Sequence, residues 1–153
     1  MGQKRLLMSQ DAADFMFRVL FSLIFLGLGA EHLFSDALIQ HLMPDWVPLK
    51  RFVSIACGMW LVAFGSLILF GVCLRIAALG LALFLVAVTA AVHVPGVLSA
   101  GPDIPAEALW MWDILQRSNL VKNLCLLGVC CYLPYHEPKR YSLAHWLRRN
   151  DPV

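Results

Sequence analysis

The residues of this 153-residue chain that are best suited to chemistry stand at the end of a long apolar run. The stretch GLGAEHLF, residues 27–34, places a carboxylate, Glu31, beside an imidazole, His32. An ionisable residue in an apolar segment of membrane length is a functional-site hypothesis by default, because moving its charge into lipid is costly. Histidine can donate a hydrogen bond and exchange a proton near neutral pH. The elements that position these two residues therefore decide what they can do.

The composition indicates a membrane protein. Hydrophobic residues make up 60% and charged residues 14% of the chain, against about 45–50% and about 25% in soluble domains. Four apolar segments, at about residues 15–34, 52–70, 76–94 and 120–135, approach the roughly 20 residues that cross a bilayer as a helix. We therefore predict an all-α integral membrane protein in which residues 1–153 form a single membrane domain, a four-transmembrane-helix, up-down-up-down bundle.

The connections support this order of spans. The second connection, GVCLR, is so short that the helices on either side should form an antiparallel hairpin. The first connection, SDALIQHLMPDWVPLK, and the stretch ALWMWDI in the third contain Trp residues, which favour the membrane interface. The tail, residues 136–153, is basic and amphipathic, and we expect it to lie along the membrane surface.

Basic residues predict the orientation of the spans, because cytoplasmic connections are enriched in Lys and Arg. With four spans, the side that carries both termini holds eight Lys and Arg residues, and the other side holds four. The N- and C-termini should therefore face the cytoplasm. The eight residues are Lys4, Arg5, Arg18, Arg75, Lys139, Arg140, Arg148 and Arg149, and the four are Lys50, Arg51, Arg117 and Lys122.

Each predicted span contributes a polar group at one level near the outer surface. Glu31 and His32 end the first span, Arg51 opens the second, His93 ends the third and Lys122 opens the fourth. Four separate segments agree on this level, which makes it the strongest constellation in the sequence. The predicted ligand pocket is completed by an aromatic residue of the second span and consists of Glu31, His32, Arg51, Trp60, His93 and Lys122.

The helical periodicity predicts which of these groups face the bundle. A stripe of polar and small residues ends at His32, at steps of three or four residues, and includes Arg18, Ser22, Phe25 and Gly29. Small and hydroxyl residues mark contacts between helices in lipid. We therefore expect His32 and His93 to point into the bundle, with Glu31 at the edge of that face.

Several kinds of site compete for these residues. A purely structural polar cap remains open, in which Glu31 pairs with Arg51 or Lys122. A metal site is not predicted, because the adjacent Glu31 and His32 point to different helix faces. The five cysteines are odd in number and lack a C-x-x-C pair, which is typical of small buried hydrophobes. The sequence has no basic cluster with interleaved aromatic residues, so a nucleic-acid partner is not predicted.

The chain resembles the DoxX/DoxD-like family of small four-helix membrane proteins over about residues 14–133. The resemblance is carried by FRVLFSLIFLGLGAEHLF, MPDWVP, GMWLVAFGSLILFG, RIAALGLALFLVAVTAAVH and LVKNLCLLG. It implies a bundle in the bacterial inner membrane with polar family positions at His32, His93 and Lys122. Some members are associated with thiosulfate:quinone oxidoreduction or other redox-linked membrane complexes, and animal relatives act as receptor-assembly chaperones. Asn123 stands where an acidic residue is common in relatives.

The predicted function is that of a small redox-associated membrane subunit that binds a quinone or another amphipathic ligand near the outer leaflet. His32 would donate a hydrogen bond or proton to the ligand, His93 and Lys122 would complete the pocket, and Glu31 would balance the charge. The alternative is a non-catalytic assembly or accessory subunit, or chaperone, of a larger membrane complex or homo-oligomer. The residues leave open whether the chain is an enzyme.

Overall fold

The computed structural model describes residues 8–150 with the exception of residues 36, 38, 41, 42 and 100–103, and this part of the chain is helical without a β-strand. Part of the predicted interfacial connection between the first two spans lies outside the described residues. The long helices are α1 (Gln10–Phe34), α2 (Lys50–Phe70), α3 (Leu74–Leu98) and α4 (Leu109–Tyr132), and the short helix α5 (Leu143–Asn150) follows.

Three of these helices, α1, α2 and α3, are long and apolar enough to cross a membrane. They correspond to the first three predicted spans; α1 and α2 begin earlier than predicted, and α3 is longer at both ends. The fourth predicted span, residues 120–135, overlaps α4, which begins at Leu109 and thereby includes the Trp-rich stretch. Among the described residues, α4 does not reach the apolar character of the other three helices.

Successive long helices pack side by side, α1 on α2, α2 on α3 and α3 on α4. Late residues of one helix meet early residues of the next, so neighbours run antiparallel. We call the end at which α1 finishes and α2 begins the distal end, and the opposite end the basal end. The predicted hairpin between α2 and α3 is closed by Gly71, which has a φ of +66° and whose N–H donates to the carbonyls of Leu67 and Ile68.

The core between the helices is formed by large apolar side chains that are almost fully buried, among them Phe25, Leu61, Ile68, Leu81 and Leu133. The predicted face of α1 is confirmed, since four of its residues, Arg18, Ser22, Phe25 and Gly29, are buried. On α2 the buried positions include Ser54, Gly58 and Gly65, whereas Arg51 is exposed.

Glycines allow α1 and α2 to approach closely. A Cβ atom on Gly29 would lie 2.7 Å from Val62 Cγ2 and 3.0 Å from the Gly58 carbonyl oxygen, and one on Gly58 would lie 2.9 Å from His32 Cβ. In lipid, where apolar side chains gain little by leaving the solvent, such close backbone contact is a main source of helix association. The glycines before His32 therefore bring that residue against α2.

We predict that Gly29→Ala destabilises the protein by about 1–3 kcal/mol, because the added methyl group overpacks the interface between α1 and α2. Thermal unfolding of the detergent-solubilised protein, followed by far-UV circular dichroism, measures the change. Gly27→Ala is the matched control on the same helix, since its Cβ would meet nothing within 4 Å. Equal effects of both substitutions would contradict the role given to Gly29.

A fully buried arginine joins three separate segments at the basal end. Arg18 Nε donates to Asp14 Oδ2 at 3.1 Å, and its two terminal nitrogens donate to the carbonyl oxygens of Leu69 and Tyr141, each at 2.6 Å. Asp14 also lies 2.6 Å from His136 Nε2 and accepts from the Lys139 backbone N–H at 3.2 Å. The end of α2 and the segment before α5 are thus tied to α1.

This network corrects the prediction that Arg18 is a surface charge. Arg18, predicted from the sequence to be one of the charges that set the orientation, has a side chain that is 0% exposed, and the Asp14 side chain is 3% exposed. The signal in the sequence is the spacing of Asp14 and Arg18, which places an acid and a base one helical turn apart. The two backbone acceptors come from distant parts of the chain, so the spacing alone could not identify them.

We predict that Arg18→Gln lowers the free energy of unfolding by about 3–5 kcal/mol, because it removes the cation that is bonded to the buried Asp14 carboxylate and to two carbonyl oxygens. The exposed pair Asp113–Arg117, with the same four-residue spacing and an Nε–Oδ1 distance of 2.7 Å, supplies the control. Arg117→Gln should cost less than about 1 kcal/mol. Comparable losses in chemical denaturation would show that burial of the Arg18 pair contributes nothing.

Candidate ligand site at the distal end

The first distal contact joins α1 to α2 through His32. Its Nδ1 lies 3.2 Å from Ser54 Oγ, and Ser54 Oγ donates to the carbonyl oxygen of His32 at 3.2 Å. The Ser54 hydroxyl therefore lies within hydrogen-bond distance of both the ring and the backbone of His32. The half-buried His32 therefore faces the helix pair, as predicted.

The second distal contact joins α3 to α4 at a change of helical type. Residues Thr89–His93 form a π-helical turn inside α3, a feature that is rare and frequent at functional sites. His93 Nδ1 lies 2.8 Å from Gln116 Oε1, and Gln116 is only 4% exposed. An amide oxygen accepts and cannot donate, so Nδ1 carries the proton and Nε2 of the neutral ring has a lone pair.

Further polar side chains extend this contact along α4. Asn123, which is 5% exposed, donates through Nδ2 to Thr89 Oγ1 at 3.1 Å. Lys122 Nζ donates to Asn119 Oδ1 at 2.8 Å, and the Glu31 carboxylate of α1 is near enough to act electrostatically on the Lys122 ammonium. The Glu31 carboxylate of α1 and the Lys122 ammonium of α4 are thus associated at the distal end.

Two predicted site residues of α2, Arg51 and Trp60, take part in contacts other than the one with His32. Arg51 is exposed and lines a pocket with Gln40, Leu49, Lys50, Phe52 and Ile55. Trp60 borders an apolar groove between α2 and α3, and its indole N–H donates to the Gly80 carbonyl oxygen at 2.9 Å. Of the six predicted residues, the structure therefore associates Glu31 with Lys122, and pairs His32 and His93 with other partners.

Asn123 was named from the sequence, but its neighbours on α4, Gln116 and Asn119, were not. Gln116, Asn119 and Asn123 recur at steps of three and four residues, which places them on one face of a helix. That spacing was a readable signal, but the predicted span began at Leu120 and excluded two of the three. Gln116 fits against α3 because a Cβ atom on Gly96 would lie 2.7 Å from its Cδ.

The structure also describes the residues that could hold a metal ion and the five cysteines. Within the described part of the chain, no group of three or more His, Cys, Asp or Glu side chains is arranged to hold a metal ion. The five cysteines are free thiols; Cys130 is buried, and Cys57 lies in the apolar groove.

A sequence model of the DoxX family matches residues 13–94, which is more than half of the chain. The protein belongs to the DoxX family. The match covers nearly all of α1, all of α2, and α3 as far as the residue after the π-helical turn, so the polar face of α4 lies beyond it. The comparisons with curated proteins and with solved structures give no match.

We predict that Thr89 and Asn123 are energetically coupled. In a double-mutant cycle with Thr89→Ala and Asn123→Ala, the interaction free energy should be about 0.6 kcal/mol, the average for side-chain hydrogen bonds between membrane helices. Unfolding of the four proteins in mixed micelles supplies the values. A parallel cycle of Thr89→Ala with Ser54→Ala, which lies in the contact between α1 and α2, should give additive losses. Additivity in both cycles would contradict the assigned contact.

Proposed function

We propose that this DoxX-family membrane protein is a small redox-associated subunit that binds a quinone or a similar amphipathic ligand at its distal end. All four long helices cross the membrane in this proposal and form an up-down-up-down bundle. The protein resides in the bacterial inner membrane, with both termini in the cytoplasm and the distal end toward the outer leaflet. The ligand head then lies at the depth of the headgroups, and its tail lies in lipid.

The observation that carries the proposal is the contact of His93 with the buried Gln116 on the π-helical turn. Because Gln116 fixes the proton on Nδ1, the neutral ring has its lone pair on Nε2 and can accept a hydrogen bond or a proton from a quinol hydroxyl. Lys122 can donate to a quinone carbonyl, and Glu31 balances its charge. His32 provides a second imidazole at the same end of the bundle.

The chain supplies binding and a proton acceptor in this proposal, while electron transfer belongs to a partner redox protein. This division agrees with the association of relatives with redox-linked complexes. It also leaves a place for the accessory role, in which the protein assembles a larger membrane complex without binding a ligand. The exposed side chains of α5, with Trp146 and Leu147 beside Arg148 and Arg149, favour that second candidate as a docking surface.

We predict that the purified wild-type protein retains quinone and that His93→Ala lowers the quinone content about three- to tenfold, the effect of losing one hydrogen bond. His32→Ala should lower it as well, whereas His145→Ala on the exposed face of α5 is the control and should not. Mass spectrometry of the organic extract after gentle solubilisation gives the content for each variant.

Two results would decide against the proposal. If His32→Ala and His93→Ala both keep the wild-type quinone content, the distal polar groups do not bind the ligand. If none of the proteins contains quinone and affinity purification from native membranes returns a larger complex, the accessory role is supported. Far-UV circular dichroism and size-exclusion chromatography establish that the variants are folded.

A further inference from the structure

Helix α5, at the basal end, separates large apolar side chains from basic ones. At about 100° per residue, Leu143, Trp146 and Leu147 fall on one stripe of the helix, and Arg148 and Arg149 lie outside that stripe. The three apolar residues are 44%, 59% and 47% exposed, so the stripe is not packed against the other helices. An amphipathic helix with Trp and Leu on one face and Arg on the other is typical of segments that lie in the interface of a membrane.

The segment before α5 is fixed to the basal end of the bundle. Arg18 donates to the carbonyl oxygen of Tyr141 at 2.6 Å, and the Tyr141 ring meets the Phe15 ring of α1 edge-on, with the ring centroids 6.2 Å apart. Ser142 is 6% exposed and packs over Gly71 in the hairpin between α2 and α3, where an added Cβ would lie 2.7 Å from Ser142 Cβ. Helix α5 therefore begins beside the first turns of α1 and the end of α2, the level at which spanning helices leave the hydrocarbon.

The segments at the basal end carry an excess of positive charge. Besides the buried Asp14–Arg18 pair, they contain seven Lys and Arg residues and three acidic residues. This count is taken over the sequence and includes residues 1–7 and 151–153, so the excess does not depend on where those residues lie. An anionic surface therefore complements this end by charge. The basic residues are Lys4, Arg5, Arg75, Lys139, Arg140, Arg148 and Arg149, and the acidic residues are Asp11, Glu137 and Asp151.

We propose that α5 binds the surface of an anionic lipid leaflet. Leu143, Trp146 and Leu147 lie among the upper parts of the acyl chains, and Arg148 and Arg149 contact the lipid phosphates. A protein partner could also cover an apolar stripe, but the excess positive charge and the start of α5 at the level of the membrane surface favour lipid. The proposal requires that the long helices cross the membrane, and it does not depend on the quinone site at the distal end.

Hydrogen–deuterium exchange of the full chain in lipid nanodiscs, read by mass spectrometry on peptides that cover residues 143–150, tests the proposal. One set of nanodiscs contains phosphatidylcholine, and the other contains phosphatidylcholine with phosphatidylglycerol of the same acyl chains. In the wild-type protein these amides should exchange about tenfold more slowly in the anionic nanodiscs, since several basic residues near an anionic surface are attracted to it. The double variant Arg148→Gln, Arg149→Gln should lose that difference. Arg117→Gln is the control, because it removes an exposed arginine of α4 and should leave the difference unchanged.

The apolar stripe is tested separately with the double variant Trp146→Ser, Leu147→Ser. Its α5 amides should exchange several-fold faster than those of the wild-type protein in anionic nanodiscs, and the milder Leu147→Ala keeps the test valid if the double variant does not fold. Equal exchange of the wild-type amides in the two kinds of nanodisc would overturn the proposal, as would an effect of Arg117→Gln as large as that of the arginine double variant. Protection that appears only in native membranes with a copurified protein, or only with two copies of the chain in one nanodisc, would assign α5 to a protein partner or to a second copy instead.

Discussion

The buried guanidinium of Arg18 is the constraint on which the arrangement of the helices depends. A cation enclosed by protein must be matched by acceptors in good geometry, because its desolvation otherwise costs several kcal/mol. Its acceptors are the Asp14 carboxylate on the same helix and the carbonyl oxygens of Leu69 and Tyr141. One side chain on α1 therefore holds both the end of α2 and the segment before α5. The absence of a side chain at Gly71 fits this requirement, since a Cβ there would lie 3.0 Å from an Arg18 terminal nitrogen.

The same helices are held at the distal end by weaker and more varied contacts. Small residues bring α1 against α2, and pairs of polar side chains link α1 to α2 and α3 to α4. The π-helical turn adds about one residue to a helical turn, so the part of α3 after His93 is rotated by about 100° relative to a regular helix. In this rotated part of α3, Gly96 packs against Gln116. The Gly96 carbonyl oxygen also accepts a hydrogen bond from Trp112 Nε1 at 3.0 Å.

Helix α3 consequently has two different sides. Toward α4 it presents Thr89 and His93, whose polar atoms meet amides of α4, and toward α2 it forms an apolar groove with a basic pocket beyond. The DoxX family match ends at residue 94, so it includes the residues that form the groove and those of α3 that face the polar layer, but not their partners on α4. In the proposed function, the side that faces α4 receives a quinone-like head.

The sequence by itself determined the helical, membrane-embedded character of the chain, the positions of three spans, and the buried stripe of α1 that includes Ser22 and Phe25. These follow from the length and periodicity of apolar runs, because lipid leaves the backbone of such a run little choice except a helix. Only the tertiary structure decided which partners the polar groups take. His93 meets Gln116, Arg18 meets two distant carbonyl oxygens, and Arg51 lies on the exposed side of α2. A shift of one position along a helix turns the side chain by about 100°. The direction of each polar side chain therefore depends on packing and on the π-helical turn, which the spacing of residues does not reveal.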